Sequence, residues 1–272
     1  MKKIKLWLIL VLTVGLSLAA CGSSAAEQEK SSTSASTEKT DEPITIYLVR
    51  HGKTWFNTMN QVQGYSDSPL TEIGEKQAEA VGEGLQDIVF TSAFSSDLAR
   101  QRNTAKLILS QNAEKAPELT ELVGFREKNF GSFEGQSNDA MNIAVAEDLK
   151  LDYPTDSDEL WNFLKEQLGE EELADHIAKV DPEQEAETYE EIKARAAAVM
   201  EEMIEQAEKN GGGNVLVVSS GGIIPIIMEA IAPGEYKGEK ISNCSVTTLT
   251  YEDGTYAIEK IGDTTFADQV KQ

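Results

Sequence analysis

Cysteine and histidine are scarce in this 272-residue chain: Cys21 and Cys244, His51 and His176 are all there are. With Cys21 in the N-terminal segment and Cys244 alone, a disulfide framework is excluded, and none of the four residues has zinc-ligand spacing. Neither a metal nor another cofactor is expected. Cations are also short, 24 Lys and Arg against 47 Asp and Glu, for a formal charge of −23. Such a surface repels nucleic acid and other large polyanions, so a bound anion must be met by a local cluster of positive side chains. Long apolar runs are missing as well. The run from Leu6 to Leu16 falls short of the roughly 20 residues that a helix needs to cross a bilayer.

That run is preceded by Lys2, Lys3 and Lys5 and followed by small residues ending in Leu18-Ala19-Ala20-Cys21. The pattern reads as a signal peptide over residues 1–20. The Leu-Ala-Ala-Cys ending resembles the bacterial lipobox, which implies cleavage before Cys21 and acylation of that residue. Two or three acyl chains anchor a protein stably where one does not. The chain is thus expected on a membrane, lipid-anchored and facing the extracytoplasmic side. Loss of the three lysines takes the formal charge from −23 to −26. Residues 22–43, a Ser, Thr, Ala, Glu and Lys mixture without hydrophobic periodicity, read as a flexible tether, and the folded domain (44–272) begins near Ile44.

Ile44–Val49 is an apolar, β-rich run without polar alternation, as in a strand covered on both faces. Thr71 is a helix N-cap ahead of Glu72 and Glu75, with Ala78, Val81 and Leu85 on one face. A second strand is expected over Ile88–Ala93, and a helix from Asp97 to about Gln111 with Leu98, Ala105, Leu107 and Ile108 inward. Helical periodicity from Tyr189 to about Glu208 stops at Gly211-Gly212-Gly213, and Val215–Val218 is another buried strand. Asp253-Gly254, between β-rich stretches Ser245–Tyr251 and Tyr256–Ile261, marks a closing hairpin. Strand and helix in alternation predict an α/β fold with a mostly parallel sheet, in which ligands sit beyond the carboxyl ends of the strands. Residues 137–190 interrupt the alternation with seventeen Asp and Glu against three Lys and a stripe of Leu160, Trp161, Phe163, Leu164 and Leu168. They read as a helical cap inserted over the pocket, or as a peripheral helical excursion that touches no ligand.

Four stretches carry chemistry in order: LVRHGKTWFN, QGYSDSPLTEIGEKQA, SSDLARQRNTA and FREKNFGSFEG. Together they resemble the successive signatures of the histidine phosphatase superfamily, also called phosphoglycerate mutase-like, over roughly Ile44 to Asp263. The resemblance implies a three-layer α/β/α sandwich and a phosphohistidine intermediate on a small phosphorylated substrate. It makes His51 the nucleophile, Arg50 and Arg100 phosphate clamps, and Glu127 the proton donor. Thr54, Asn57 and Gly64 match positions that contact phosphate or substrate, although Gly64 also reads as an ordinary turn glycine, and Glu127 could merely pair with Arg126 or Lys128. The chemistry is sound on its own terms. A neutral imidazole attacks phosphorus without first losing a proton, guanidiniums neutralise phosphoryl oxygens with fixed hydrogen bonds, and Gly52 lets backbone approach an anion.

The resemblance also implies a second catalytic histidine after the strand Val215–Val218, in a pattern like VLVVSHGG. The chain reads VLVVSSGG, so Ser220, followed by Gly221, stands there. A serine hydroxyl is a shorter, uncharged donor, and losing a positioned donor of this kind costs roughly a hundred- to thousandfold in rate. His176, the other histidine, lies in the acidic insertion, where it reads as a helical surface residue unless it reaches the pocket. Three functions follow from this: a phosphomonoesterase weakened by Ser220, a non-catalytic phosphate-ester binding or scaffold lipoprotein, and a phosphoglycerate mutase, which export would separate from its cytosolic substrates.

Overall fold

The computed structural model describes residues 43–270. The signal peptide, Cys21 and nearly all of the tether lie outside the described residues. Strand β1 (Ile44–Arg50) begins where the apolar run begins, and the sheet has the order β3-β2-β4-β1-β5-β6. Strands β2 (Phe90–Ser95), β3 (Leu119–Glu121) and β4 (Asn214–Ser219) run parallel to β1. Strands β5 (Val246–Glu252) and β6 (Thr255–Asp263) form the expected hairpin and add an antiparallel edge to β1. Asp253 and Gly254 both take positive φ (49° and 80°), the geometry of a tight turn matched to strand twist.

Alternate residues of the central strands feed two cores. Ile46, Leu48, Val215 and Val217 pack with helices α6 (Tyr189–Lys209) and α7 (Ile223–Ile231) on one face. Val49, Leu216 and Val218 pack with α2 (Glu72–Gly84) and α3 (Ala99–Leu109) on the other. The sandwich therefore has three layers, helices on both faces of a mostly parallel sheet, as expected. Thr71 caps α2 by accepting from Gly74 N, and Ala78, Val81 and Leu85 are buried.

Two boundaries differ from expectation. The second strand runs two residues further, with Val89 and Thr91 exposed and Ser92 and Ser95 inside. Helix α3 starts at Ala99 because Asp97 is not its cap: both Asp97 carboxylate oxygens accept from Arg126, at 2.7 and 2.5 Å. The cap of α3 comes from another loop, where Asp67 Oδ2 accepts from Ala99 N at 2.7 Å.

The acidic insertion is helical as predicted. It consists of α4 (Asn138–Asp148) and α5 (Ser157–Val180), the latter broken at Gly169 (φ 71°, ψ −175°). Leu160, Leu164, Leu173 and Ile177 form a third core with Met141, Val145, Phe130 and Phe133, which joins the insertion to the segment following Glu127.

Candidate active site

β1 and β4 lie side by side at the centre of the sheet, and their carboxyl ends carry Arg50-His51-Gly52 and Ser219-Ser220-Gly221. Backbone bonds hold this turn from both sides: His51 N donates to Ser219 O of β4 at 3.0 Å, and Arg50 N to Ser245 O, just ahead of β5, at 3.2 Å. His51 is 3% exposed. Its Nδ1 lies 2.8 Å from Gly52 O, and because a carbonyl only accepts, the proton sits on Nδ1 and Nε2 keeps its lone pair. Burial, and then the charges of Arg100 and Arg50, hold the imidazole pKa well below its ordinary value of 6.5. The sequence-predicted nucleophile is thus a buried free base.

This depressed pKa has a stability consequence. A histidine whose folded-state pKa lies below its unfolded value costs nothing above the unfolded pKa, and stability is lost as pH falls through about 6.5 toward the folded value. On acidification from about pH 7.5 to 5.5 the thermal midpoint of His51→Asn is expected to fall less than that of the wild type. Equal falls would mean that His51 titrates normally.

Arg50 and Arg100 flank the histidine. Arg50 Nη1 donates to Ile241 O at 2.7 Å, while its Nε has no protein partner. The Arg100 side chain is fully buried, and burial lowers its pKa as it does that of Arg50. Its Nη1 donates to Ser66 O and Asp67 Oδ1, and its Nη2 to Gly64 O and Gln63 O, so this end of the guanidinium organises the loop 63–67. The Nε of Arg100 is unpartnered, like that of Arg50. Both arginines thus hold protein through terminal nitrogens and keep Nε unspent.

Thr54 and Asn57 form a capping box on α1 (Trp55–Met59). The Thr54 hydroxyl donates to Gln63 Oε1 at 2.6 Å, so its proton is taken up by the protein. Asn57 Oδ1 accepts from Thr54 N and Asn243 Nδ2, which leaves its amide donor end for a ligand.

The glycines are required by the protein's own packing. A side chain on Gly52 would run into the carbonyl of Gly74, and one on Gly74 into that of Lys53, so two bare backbones interlock between the turn and α2. Gly64 is neither a turn glycine with positive φ nor exposed: it lies against Lys128 O and Glu134.

Glu127 is 7% exposed and joins the ring from the segment after β3. Its Oε2 accepts from Gly222 N at 2.6 Å and its Oε1 from Lys128 N at 2.9 Å, an approach that a side chain on Gly222 would block. Surface pairing is therefore not its role; Arg126 is engaged by Asp97 instead. Ser220 is fully buried, and its Oγ accepts from Gln101 Nε2 at 2.6 Å. Gly221 packs on the Arg50 guanidinium. His176 stays within the insertion, 3.5 Å from Asp148.

Several residues of the site were not expected. Glu134 receives backbone N–H groups from Gly64, Tyr65, Ser66 and Phe130, gripping from one side the loop that Arg100 grips from the other. Arg195 on α6 donates to the carbonyls of Gly124, Arg126 and Glu127 and pairs with Glu187 at 2.7 Å, which fixes the main chain at Glu127. Asn243 donates to His51 O at 3.0 Å. Gln63 Nε2 is buried without a partner beside Gly64. Lys128 is 5% exposed next to Glu127 and reaches Glu170 of α5 at 3.6 Å, which ties the insertion to the wall of the site. Of these, Gln63, Lys128 and Glu134 stand inside the motif stretches; Arg195 and Asn243 carry no sequence signal.

Fold and site together define an α/β/α sandwich of the phosphoglycerate mutase-like type, with an arginine-flanked histidine at the carboxyl edge of its central strands. The chain belongs to the histidine phosphatase superfamily, branch 1, whose pattern matches residues 46–264. It is 30% identical over 233 residues to a probable phosphoglycerate mutase GpmB of Yersinia pestis (strain Pestoides F), covering 83% of this chain and 95% of the relative. A phosphoglycerate mutase of Bacillus anthracis str. Sterne superposes with a TM-score of 0.76 at 37% identity, covering 86% of this chain and 99% of the other. A mycobacterial glucosyl-3-phosphoglycerate phosphatase shares the fold, with a TM-score of 0.61 at 21% identity over 82% of this chain and all of its own.

Proposed function

We propose that this protein is a phosphomonoesterase that hydrolyses a small phosphorylated compound through a phosphohistidine at His51. The observation that carries the reading is the state of His51: a buried free base, its Nδ1 proton tied to Gly52 O, beside the guanidiniums of Arg50 and Arg100. In this mechanism Nε2 attacks phosphorus as the bond to the leaving oxygen breaks, and Glu127 delivers a proton to that oxygen. Water then attacks the phosphohistidine, Glu127 takes up its proton, and inorganic phosphate leaves with His51 restored. The unspent Nε donors of Arg50 and Arg100, with the amide of Asn57, are assigned to the phosphoryl oxygens. Their positive charge offsets the acidic surface where an anion has to enter.

A binding-only role is the second reading, and Ser220 is the observation that favours it, since a hydroxyl supplies less transition-state stabilisation than an imidazolium. Hydrolysis of p-nitrophenyl phosphate by the purified protein, measured against His51→Ala, decides between them: turnover no faster than that variant would leave only binding. The relatives named phosphoglycerate mutases keep a mutase in view, but export through residues 1–20 and a lipid on Cys21 favour a phosphatase outside the cytosol. Incorporation of radiolabelled palmitate into the protein in bacterial cells, absent from Cys21→Ala, is the expected sign of that anchor; equal labelling of both proteins would remove it.

A further inference from the structure

Gln101 sits one residue after Arg100 on α3, fully buried, and its amide meets the hydroxyl of fully buried Ser220 at 2.6 Å. A glutamine in such a place has to spend a carbonyl and two N–H groups, yet its Oε1 has no partner. The orientation of an amide follows from its hydrogen bonds, so both orientations matter. With Nε2 toward Ser220, the serine oxygen accepts and its own proton remains free to donate. With the amide reversed, Ser220 donates to Oε1 and the NH2 group is left over. In either arrangement the pair holds at least one unspent donor.

Its surroundings show where that donor lies. Ser219, one residue before, accepts from the backbone of His51; Gly221, one residue after, packs on the guanidinium of Arg50; Gly222 donates to Glu127. Ser220 thus lies in a run of four residues whose other three each touch His51, Arg50 or Glu127. We propose that Gln101 and Ser220 act as one unit that donates a hydrogen bond to the transferring phosphoryl group, with Gln101 fixing and polarising the serine hydroxyl. The inference rests on the phosphoryl-transfer reading above and assigns Gln101 a positioning role in it. A packing consequence follows: an imidazole at position 220 has to occupy space that the Gln101 amide already fills, because neither side chain has solvent to retreat into.

A double-mutant cycle on the full-length protein tests the unit, using Gln101→Leu, Ser220→Ala and the combination. Two readouts are taken: kcat and KM for p-nitrophenyl phosphate, and orthovanadate affinity by calorimetry. Each single change is expected to lower kcat by about thirtyfold or more with KM within about threefold, and the combination to be no worse than either alone. Orthovanadate affinity should show the same lack of additivity. Ser220→His alone is expected to stay impaired, and Ser220→His with Gln101→Ala to outperform it.

Additive losses in an active enzyme would overturn the unit and leave the phosphatase reading intact. A wild type that binds orthovanadate without turnover, with a non-additive cycle in affinity, would support the unit and end the phosphatase reading. No orthovanadate binding by the wild type would remove both. A shared loss of thermal midpoint in the two single variants, with kcat unchanged, would reduce the pair to core packing.

Discussion

His51→Ala is expected to lower turnover of any phosphate monoester by about 10⁴-fold or more, because a nucleophile acting within a preorganised site cannot be replaced by its neighbours. The geometry supports so large an effect. No other imidazole is near: the second histidine of the chain is held in the acidic insertion beside Asp148. Of the nearby nucleophilic groups, the Thr54 hydroxyl is spent on Gln63 and the Cys244 thiol is fully buried, with its pKa pushed up to about 12 by that burial. Acid-stopped reactions with a phosphorus-labelled substrate provide the check. Wild-type protein should carry alkali-stable, acid-labile label, and His51→Ala none. Label retained by the variant would place the covalent step elsewhere and overturn the assignment of His51.

Glu127→Gln is expected to have the next largest effect, and its size should depend on the leaving group. Glutamine keeps the shape of the side chain and an oxygen for one of the two backbone donors, Gly222 N and Lys128 N, but carries no proton to deliver. For glycerol phosphate, whose alkoxide leaves poorly, the loss should be about 10²- to 10⁴-fold in kcat/KM, the usual worth of a positioned general acid. For p-nitrophenyl phosphate, whose phenolate needs little help, the loss should be under about tenfold. Equal losses on the two substrates would show that Glu127 holds the structure together and does not transfer the proton.

How much of this could be read from the amino-acid sequence depends on whether each signal is local. β1 and β4 are legible because both faces of a central strand are covered, leaving unbroken apolar runs. β2 lies two residues further along than its local pattern indicates, because the buried residues Ser92, Ser95 and Ser96 look like punctuation; Ser92 accepts from Asn210 of the α6 terminus, a partner 118 residues away. Asp97 looks like a cap in every local respect, yet it serves Arg126 while Asp67 caps α3 across the loop. The site divides in the same way. Arg50, His51, Arg100 and Glu127 stand in contiguous motifs, and the fold brings them together. Asn243 and Arg195 lie outside every motif, and Gln101, though inside one, owes its role to Ser220; these contacts span 69 to 192 positions, which no window along the chain reveals.

The interlock of Gly52 with Gly74 divides the molecule into parts that can change at different rates. Where main chain rests on main chain, exchanging the side chains of the surrounding core shifts the contact little, and any side chain at either position is refused. The floor beneath the histidine therefore accepts a changed core around it but no side chain at either glycine. The insertion over residues 137–190 meets the wall of the site through side chains, chiefly Glu170 on Lys128 and the apolar stripe of α5. Such contacts can be rewritten one residue at a time. A change in the insertion can thus reshape the wall of the site while the main chain beneath His51 stays where it is.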